Sequence, residues 1–599
     1  MPIAVVNDIA GKTFDFIIVG GGTAGLVLAN RLSESSDTSV VVLEAGNAHI
    51  DDPIVLSPTG WVPQLFNPEY DWGFQSVPQP CSKDQRLFQF RGKGLGGSSG
   101  INCLAWLKPH RGDIDAFEKL GNPGWNWENF QRYSNKAETV HAPVPPTRVY
   151  QPTYNPEDVG HDGPIPLSFT PVSSGVEYPL QKSLHQLGIE TTSKAFGGET
   201  CGTYQALASL HPEKKTRTDS ANAYLFPVLD RSNLQVLTGA LVTKVIASGT
   251  EETGVTAEAV EFEHDGKIYR VLCRKEVILS AGAIKSPQIL ELSGIGDRGI
   301  LEPLGIQTKI HLPTVGENTQ DHYTITGPAH ELRDGHDIIT SDLMTNPEFR
   351  STLKDPYKEI EGPLPLLITG FAFFSIQQTN VDAQALIDKI SAKVNDESSP
   401  YSPGLREVLR VQLELFKDKN VPDIEIAVVP FSVFPIGPPG KPYVNTAPFL
   451  LRPFSRGTIH ITSTDPREPP IIDAHLFEEE VDIEIMVAGF KTSREAAKLS
   501  PLKDIIAREA KPGPEVVTDE QIKDHIKSNV GTSWHVSGSC SMLPKDMGGV
   551  VDPKLKVYGT KNIRVVDLSI MPILVSTHPQ ASVYAIAEQA ADIIKADHA

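Results

Sequence analysis

Three glycines near the N-terminus have the spacing of a phosphate-binding loop. Gly20, Gly22 and Gly25 fit the pattern G-x-G-x-x-G, which combines a tight turn, close approach of the main chain to a pyrophosphate, and close packing of a helix on a strand. Glu44 follows 19 residues after Gly25, where a carboxylate can accept hydrogen bonds from ribose hydroxyls. These residues predict a dinucleotide site, and they do not choose between NAD and FAD.

A second glycine-rich run, GKGLGGSSGIN, fits two different chemistries. Its GGSSG segment, which begins at Gly96, satisfies the G-x-S-x-G pattern of a serine hydrolase, with Asp567 and His578 completing a triad. The charged segment before it is a poor match for the buried strand that such a nucleophile requires. We favour the other interpretation, in which small residues let the main chain press against a flat ring or a phosphate, and Ser98 and Asn102 supply hydrogen bonds.

The elements around the first glycine loop are those that such a site needs. Residues 14–19 form an apolar run typical of a buried parallel strand, and Leu26, Ala29 and Leu32 continue with helical spacing. Residues 39–43 form a second apolar strand that ends at the acidic position. This order of strand, turn, helix and strand predicts a parallel α/β sheet with the phosphate site at its edge.

Composition narrows the class of protein further. The chain of 599 residues has the length of three or four domains, and its formal net charge of −20 argues against nucleic acid and anionic membranes as partners. It contains no run of 18 apolar residues, no signal-peptide pattern and no Asn-x-Ser/Thr site, so we expect a soluble protein, with an intracellular location favoured over a secreted mature form. Its five cysteines show no CxxC spacing, and no metal site is expected.

Several motifs together resemble the glucose-methanol-choline (GMC) family of flavin oxidoreductases. The run GKGLGGSSGIN, with Trp106 and the loop at residues 121–125 behind it, is similar to the first family signature, and residues 282–296 are similar to the second. Residues 315–322 and 533–592 also match in kind and order. The resemblance extends over most of the chain, and it is closest in kind to the fungal aryl-alcohol oxidase and alcohol dehydrogenase members.

The resemblance implies an α/β fold with two domains. A Rossmann-like FAD-binding domain is expected from residues 10–165, 214–320 and 525–599, which are separate in the chain. A second, α+β domain for the substrate, built on an antiparallel sheet, is expected from residues 166–213 and 321–524.

The resemblance also implies how FAD is bound. Asn102 is expected to contact the isoalloxazine edge, and the main chain at Val242 the adenine. Ile101 stands where covalently linked members carry a histidine, so the FAD is expected to be non-covalent. The residues expected to bind the cofactor are Gly20, Gly22, Thr23, Ala24, Gly25, Glu44, Gly96, Ser98, Asn102, Val242, Trp534, Asp567, Leu568 and Pro579.

Two histidines in the C-terminal run resemble the catalytic pair of the family. The resemblance implies that His535 removes the hydroxyl proton of an alcohol while a hydride passes to flavin N5, and that His578 hydrogen-bonds the developing alkoxide. Histidine suits this task because a neutral imidazole accepts protons near neutral pH. Oxygen or a quinone is then expected to reoxidise the flavin. For His322, in the QDH segment, we expect a structural role.

The expected substrate is a primary alcohol, and an aryl alcohol fits best. Trp534 would place an aromatic face beside it, and candidates for the opposite wall, which also fit an ordinary core, are Phe371, Phe373, Phe374, Phe431 and Phe434. The alternatives are a sugar oxidase or dehydrogenase of the same family, a lyase or cyclase in which FAD has no redox role, a flavoprotein without catalysis, and, more remotely, a hydrolase that uses Ser98.

Overall fold

Two large β-sheets, with helices packed around them, make up most of the fold. The computed structural model describes residues 3–142, 154–170, 173–333, 338–344, 367–430, 436–437 and 441–599. The α-helices of these residues are Thr23–Leu32, Pro53–Leu56, Trp61–Gln64, Arg111–Lys119, Trp127–Ala137, Glu177–His185, Gly282–Leu292, Arg298–Leu301, Ser341–Met344, Ala383–Asn395, Pro403–Lys417, Glu480–Ala497, Leu502–Ile505, Asp519–Asn529 and Gln580–Asp597.

The first sheet is the mixed sheet that carries the glycine loop. Its strands run in the order Leu234–Leu237, Val40–Leu43, Thr13–Val19, Lys267–Leu279, Thr256–His264 and Leu241–Ser248, with Ile563–Val565 also paired to Lys267–Leu279. Thr13–Val19 pairs in parallel with both neighbours, and six of its seven residues are buried. The apolar run in the sequence is explained by this position, because a parallel strand covered on both faces has no polar side.

The second sheet is antiparallel throughout. Its strands run in the order Ile506–Lys511, Ala329–Leu332, Tyr443–Leu450, Ile424–Val429, Gly370–Phe374 and Gly202–Gln205, with Tyr323–Ile325 bridging Tyr443–Leu450 to Val530–Thr532. The strands Tyr443–Leu450 and Gly370–Phe374 are buried along their whole length. The alternating phenylalanines in the sequence therefore belong to a strand with both faces covered.

Five short strand pairs complete the sheets of the described residues. They are Phe74–Gln75 with Phe88–Gln89, Ala105–Trp106 with Leu207–Ala208, Glu138–Val140 with Ile165–Leu167, Ile295–Gly296 with Ile310–His311, and Thr458–His460 with Ile471–Asp473. None of the helices in this part of the chain is both long and apolar enough to cross a membrane.

The two ends of the chain meet in the first sheet. The C-terminal helix Gln580–Asp597 packs against the N-terminal helix Thr23–Leu32, and the Arg31 guanidinium donates to the buried Glu588 carboxylate at 2.7–3.0 Å. The last strand, Ile563–Val565, adds to the same sheet in parallel. Segments that are far apart in the sequence therefore form one structural unit.

All but one strand of the two sheets lie in the segments predicted for the corresponding domain, and the division into two domains stays a prediction. Every strand of the first sheet falls within the segments predicted for FAD binding. Val530–Thr532 falls there too, but it pairs with Tyr323–Ile325 of the second sheet. The boundaries at residue level stay predictions.

Candidate active site

A cavity of about 680 Å³ is lined by residues of both sheets. It brings together most of the positions that the sequence singled out. The predicted cofactor residues that line it are Gly20, Gly22, Thr23, Ala24, Glu44, Ser98, Asn102, Val242, Trp534, Asp567, Leu568 and Pro579, and both His535 and His578 line it as well. We call the walls formed by Gly20, Gly22 and Glu44 the glycine part, and those formed by His535 and His578 the histidine part.

The glycine loop follows directly from its strand and leaves no room for side chains. Gly20 has a φ of +102°, and a Cβ there would lie 2.5 Å from the carbonyl oxygen of Ser280. A Cβ on Gly25 would lie 2.0 Å from the carbonyl oxygen of Gly20. The helix then begins at Thr23, so its free N–H groups face the cavity beside Gly22.

Two predicted cofactor residues do not line the cavity. Gly25 packs the helix onto the loop instead, as its spacing predicts. Gly96 donates its N–H to the carbonyl oxygen of Gly21 at 2.9 Å, and its α-carbon faces Asp219, so its contact with the cofactor stays a prediction. Gly96 therefore joins the two glycine runs to each other.

Glu44 ties the glycine part together. Its carboxylate accepts hydrogen bonds from the main-chain N–H groups of Gly21 at 2.7 Å, Gly46 at 2.8 Å and Gly94 at 3.1 Å. Burial raises the pKa of Glu44, and the three amide groups oppose this shift. The residue predicted to bind the ribose thus also holds both glycine runs in position.

The residues present fit a bound FAD. The main chain around Gly20 and Gly22 forms a cradle without side chains, and the Ser280 hydroxyl beside it lines the cavity with no hydrogen-bond partner among the described residues. The Asn102 Oδ1 atom accepts a hydrogen bond from Arg217 at 2.8 Å, which leaves its Nδ2 group available to the cavity. Asp567 accepts from the Gly282 N–H at 3.0 Å and so holds the start of a second helix at this wall.

The two histidines of the sequence prediction face each other in the histidine part. Their ring centroids lie 4.8 Å apart, at an interplanar angle of 68°. His535 follows the strand Val530–Thr532, and Trp534 before it adopts a left-handed φ of +63°. His578 precedes the C-terminal helix, at which Pro579 is the N-terminal cap residue.

The second sheet contributes a carboxylate to this pair. The His578 Nε2 atom lies 3.0 Å from Oε1 of Glu425, which is fully buried in the strand Ile424–Val429. The other carboxylate oxygen of Glu425 has no hydrogen-bond partner among the described residues. Sequence reasoning missed Glu425, because no local motif marks it.

A buried ionic network holds the loop that carries His578. The N–H of Ser576 donates to Asp113 at 2.9 Å, and Asp113 accepts from the Arg452 guanidinium at 2.6 Å. Arg452 also donates to Asp423 at 3.0 Å. Burial raises the pKa of Asp423 to about 7. None of these positions was singled out in the sequence for this role.

His322 contacts the histidine pair directly. It is 1% exposed, and its Nδ1 atom lies 2.8 Å from Nδ1 of His535. Burial lowers the pKa of His322 to about 3, and it also holds the pKa of His535 well below the ordinary value, with smaller contributions from the neighbouring His578, His322 and Arg91. Both rings are therefore neutral at physiological pH.

The aromatic wall differs from the expected one. Trp534 lines the cavity with Phe90, whose ring lies 4.7 Å away, and with Phe449, whose ring lies 6.0 Å from that of His578. Phe371 and Phe373 do not line the cavity: Phe371 packs behind His578 and Phe373 stacks on Tyr204. Both residues lie behind the present wall of the cavity, and their contact with a substrate stays a prediction. Phe374 is also fully buried, and Phe431 and Phe434 lie outside the described residues.

The geometry does not support a serine hydrolase. Ser98 Oγ accepts from the N–H of Gly92 at 3.3 Å, Asp567 is engaged with Gly282, and His578 is engaged with Glu425. No hydrogen bond joins Ser98, Asp567 and His578 to one another within the described part of the chain. The same part holds no group of three or more His, Cys, Asp or Glu side chains that could bind a metal ion.

Known proteins share this architecture and these sequence features. The GMC oxidoreductase family models match residues 14–324 and 453–587. The chain is 36% identical to a GMC oxidoreductase family protein, Mala s 12, of Malassezia sympodialis, over 98% of this chain and 93% of that protein. It is 32% identical to a glucose oxidase of Aspergillus carbonarius, over 99% and 94% of the two chains.

Solved structures also match this chain over almost its whole length. An FAD-dependent oxidoreductase from Chaetomium thermophilum superimposes with a TM-score of 0.87 at 28% identity, and a fungal aryl-alcohol oxidase with a TM-score of 0.85 at 29% identity. Each comparison covers 98% of this chain and 99% of the other. The Rossmann-like sheet and the glycine cradle are those of an FAD-dependent oxidoreductase. Within that class, the chain belongs to the GMC oxidoreductase family.

Proposed function

We propose that this protein oxidises a primary alcohol to the carbonyl compound, with oxygen or a quinone as the final electron acceptor. The observation that carries the proposal is the pair His535 and His578, which line the same cavity as the glycine loop. Each ring has one nitrogen that bonds to no described residue, Nε2 in His535 and Nδ1 in His578. FAD, when bound, accepts the hydride from the carbinol carbon and passes two electrons to the final acceptor.

His535 acts as the general base in this proposal. Its pKa is lowered by burial, so the imidazole is neutral and able to accept a proton over a wide pH range. The hydroxyl proton of the substrate goes to the Nε2 atom of His535. Since the main chain of His535 is also fixed, by a 2.8 Å hydrogen bond from its N–H to Asp321, the base is held in one orientation.

His578 stabilises the negative charge that develops on the substrate oxygen. Glu425 accepts a hydrogen bond from its Nε2 at 3.0 Å, which leaves Nδ1 for the substrate. If both ring nitrogens donate, the ring carries a positive charge, and the carboxylate of Glu425 offsets it. The two histidines thus divide the work: one accepts the proton and the other binds the oxygen.

The walls of the cavity favour an apolar, aryl-type substrate. Phe90, Phe449 and Trp534 present aromatic surface beside the histidine pair, whereas a sugar needs many polar partners. Similarity to an aryl-alcohol oxidase supports this choice, and similarity to a glucose oxidase and to formate oxidases keeps a sugar and formate among the compounds to test.

We also propose that the FAD is bound without a covalent link. Ile101 packs against Trp61, Leu65 and Phe90, and an aliphatic side chain cannot form a bond to the flavin ring. Acid precipitation of the purified protein should therefore release all of its yellow colour into the supernatant. Flavin that stays with the precipitate would contradict this point alone.

Anaerobic mixing of the protein with alcohols, aldoses, choline and formate tests the main proposal. We expect benzyl-type primary alcohols to bleach the flavin absorbance fastest, and admission of air or a quinone to restore it. A flavin that no alcohol reduces, in a protein that retains its FAD, would overturn the proposal and favour a lyase or cyclase. Fastest reduction by an aldose would keep alcohol oxidation and replace the substrate class.

A further inference from the structure

Each nitrogen of the His322 ring has a hydrogen-bond partner, and the main chain of Leu451 also favours a hydrogen on this ring. Its Nε2 atom lies 2.9 Å from the carbonyl oxygen of Val575, and its Nδ1 atom lies 2.8 Å from Nδ1 of His535. The two imidazole rings are nearly perpendicular, at 89°. This arrangement determines the position of the protons on both rings.

The carbonyl oxygen of Val575 decides which nitrogen of His322 carries the hydrogen, because a carbonyl oxygen can only accept a hydrogen bond. The Nε2 atom of His322 therefore carries a hydrogen. A neutral imidazole has a single N–H, and burial keeps His322 neutral, so its Nδ1 atom is an acceptor. His535 must then donate from its own Nδ1 atom. Since His535 is neutral as well, its Nε2 atom is left with a free lone pair.

We propose that His322 is a positioning residue that fixes the tautomer of His535 in which Nε2 is the proton acceptor. This inference rests on the proposed function, in which His535 is the base. In the opposite tautomer of His535, two lone pairs would face each other across 2.8 Å, and Nε2 would carry a hydrogen and accept no proton.

The segment that contains His322 fixes the rest of His535 too. Asp321 accepts a 2.8 Å hydrogen bond from the main-chain N–H of His535, and Gln320 exchanges main-chain hydrogen bonds of 3.0 Å with Ser537. Through Val575, His322 also reaches the loop that leads to His578. One short segment thereby holds the main chain and the ring of the base and touches the loop of its partner.

Two substitutions of His322 separate this role from simple packing. His322→Phe keeps the ring volume and removes the acceptor, whereas His322→Asn keeps an oxygen acceptor near the place of Nδ1. We expect His322→Phe to slow anaerobic flavin reduction by an alcohol on the order of 10²-fold or more, since the wrong tautomer of a catalytic histidine costs up to about 10⁴-fold. His322→Asn should recover at least about tenfold of this loss. His330→Phe, at a buried histidine outside the cavity, is the matched control and should react at the parent rate.

A double-mutant cycle gives a readout that a structural role would not produce. In a His535→Ala background, His322→Phe should cause no further loss, because no tautomer remains to be fixed. A parent rate in His322→Phe, equal losses in His322→Phe and His322→Asn at normal FAD content, or an additive loss in the double mutant would each overturn the inference. A parent rate in His535→Ala would instead overturn the assignment of the base in the proposed function.

Nitrogen NMR of the FAD-loaded parent protein tests the same point without a substitution at His322. With ¹⁵N-labelled histidine, the signals of His535 are those that disappear in His535→Ala. We expect a protonated Nδ1 and an unprotonated Nε2 in this residue. The reverse assignment would overturn the inference even if His322→Phe fails to fold.

Discussion

The glycine part and the histidine part of the cavity are built by opposite means. In the glycine part, the loop, the helix start and Glu44 come from one continuous stretch, and the main chain forms the wall. In the histidine part, side chains form the wall, and the pairs that meet are 213 and 153 residues apart in the chain. A binding surface formed by the main chain of one short segment can be predicted from the local sequence. A surface formed by side chains from distant segments can be identified only from the tertiary structure.

The largest effect is expected in the histidine part. His535→Ala removes the proposed base and should slow anaerobic flavin reduction by about 10²–10⁴-fold, while the protein keeps its FAD. His578→Asn retains a hydrogen-bond donor for the alkoxide and should lose less than His578→Ala. Stopped-flow reduction by one good alcohol measures all three variants. If only the His578 variants are slow, the two roles must be exchanged.

Substitutions in the glycine part should change the stability of the protein and its affinity for FAD. They should leave the rate of flavin reduction unchanged. Gly25→Ala places a Cβ 2.0 Å from the Gly20 oxygen, a clash with main chain that should destabilise the protein by about 3 kcal/mol. Gly22→Ala is the matched control, since the nearest atom to its Cβ outside the adjoining segment, the α-carbon of Gly97, lies 3.8 Å away. It should fold normally and bind FAD more weakly, because the methyl group occupies the cradle. Thermal unfolding with and without added FAD distinguishes the two variants, and equal melting temperatures would contradict the difference.

A substitution of Glu44 tests whether a single side chain supports FAD binding at a surface that is formed mainly by the main chain. Glu44→Ala leaves the amide groups of Gly21, Gly46 and Gly94 without their acceptor, and each such charge-assisted hydrogen bond is worth about 1.5–3 kcal/mol. Because these three bonds lie within the protein, their loss should lower stability with and without FAD. The loss of the predicted bond to the ribose should lower FAD affinity by about 1.5–3 kcal/mol, with the rate of flavin reduction unchanged in the molecules that retain FAD. Titration of the apoprotein with FAD measures the affinity, and an unchanged value would refute the assignment.

The last effect leaves catalysis and FAD binding unchanged, and it concerns a histidine outside the cavity. His330 in the second sheet is buried, its ring nitrogens have no hydrogen-bond partner among the described residues, and burial lowers its pKa to about 4. The unfolded chain therefore binds a proton more readily between about pH 6.5 and pH 4, so stability falls as the pH drops through this range, by up to about 1.4 kcal/mol per pH unit. His330→Leu should reduce the difference in melting temperature between pH 7 and pH 4.5. The same measurement on the exposed His161→Leu is the control, and an equal reduction there would contradict the assignment to His330.

The contrast between the two parts also explains what the sequence could predict. The glycine loop, Glu44 and the strands Thr13–Val19 and Val40–Leu43 follow from local spacing, and the resemblance to a family supplied His535 and His578. Glu425 could not be found in this way, because a glutamate in an apolar strand has no spacing that points to a histidine far along the chain. His322 was visible in its motif, but its contact with His535 depends on the packing of two loops.

The aromatic residues also show that local sequence does not predict which side chains line the cavity. Alternating phenylalanines indicate a strand, and the strand Gly370–Phe374 exists. Which of its faces meets the cavity depends on the layers that cover it, and here all five residues of the strand are buried. Phe90 and Phe449, which do line the cavity, carry no comparable signal in the sequence.

The pairing of the first helix with the last one has a consequence for how the protein is made. The bond between Arg31 and Glu588 joins residues 557 positions apart, and the strand Ile563–Val565 completes the sheet that begins with residue 13. At about 5–20 residues per second, a ribosome needs roughly half a minute to two minutes to travel between them. During that time the nascent chain displays an unfinished sheet edge and an apolar helix face. The first sheet and the helix pair therefore stay incomplete until residues 563–588 have been synthesised, and exposed sheet edges and apolar faces of this kind favour aggregation while they last.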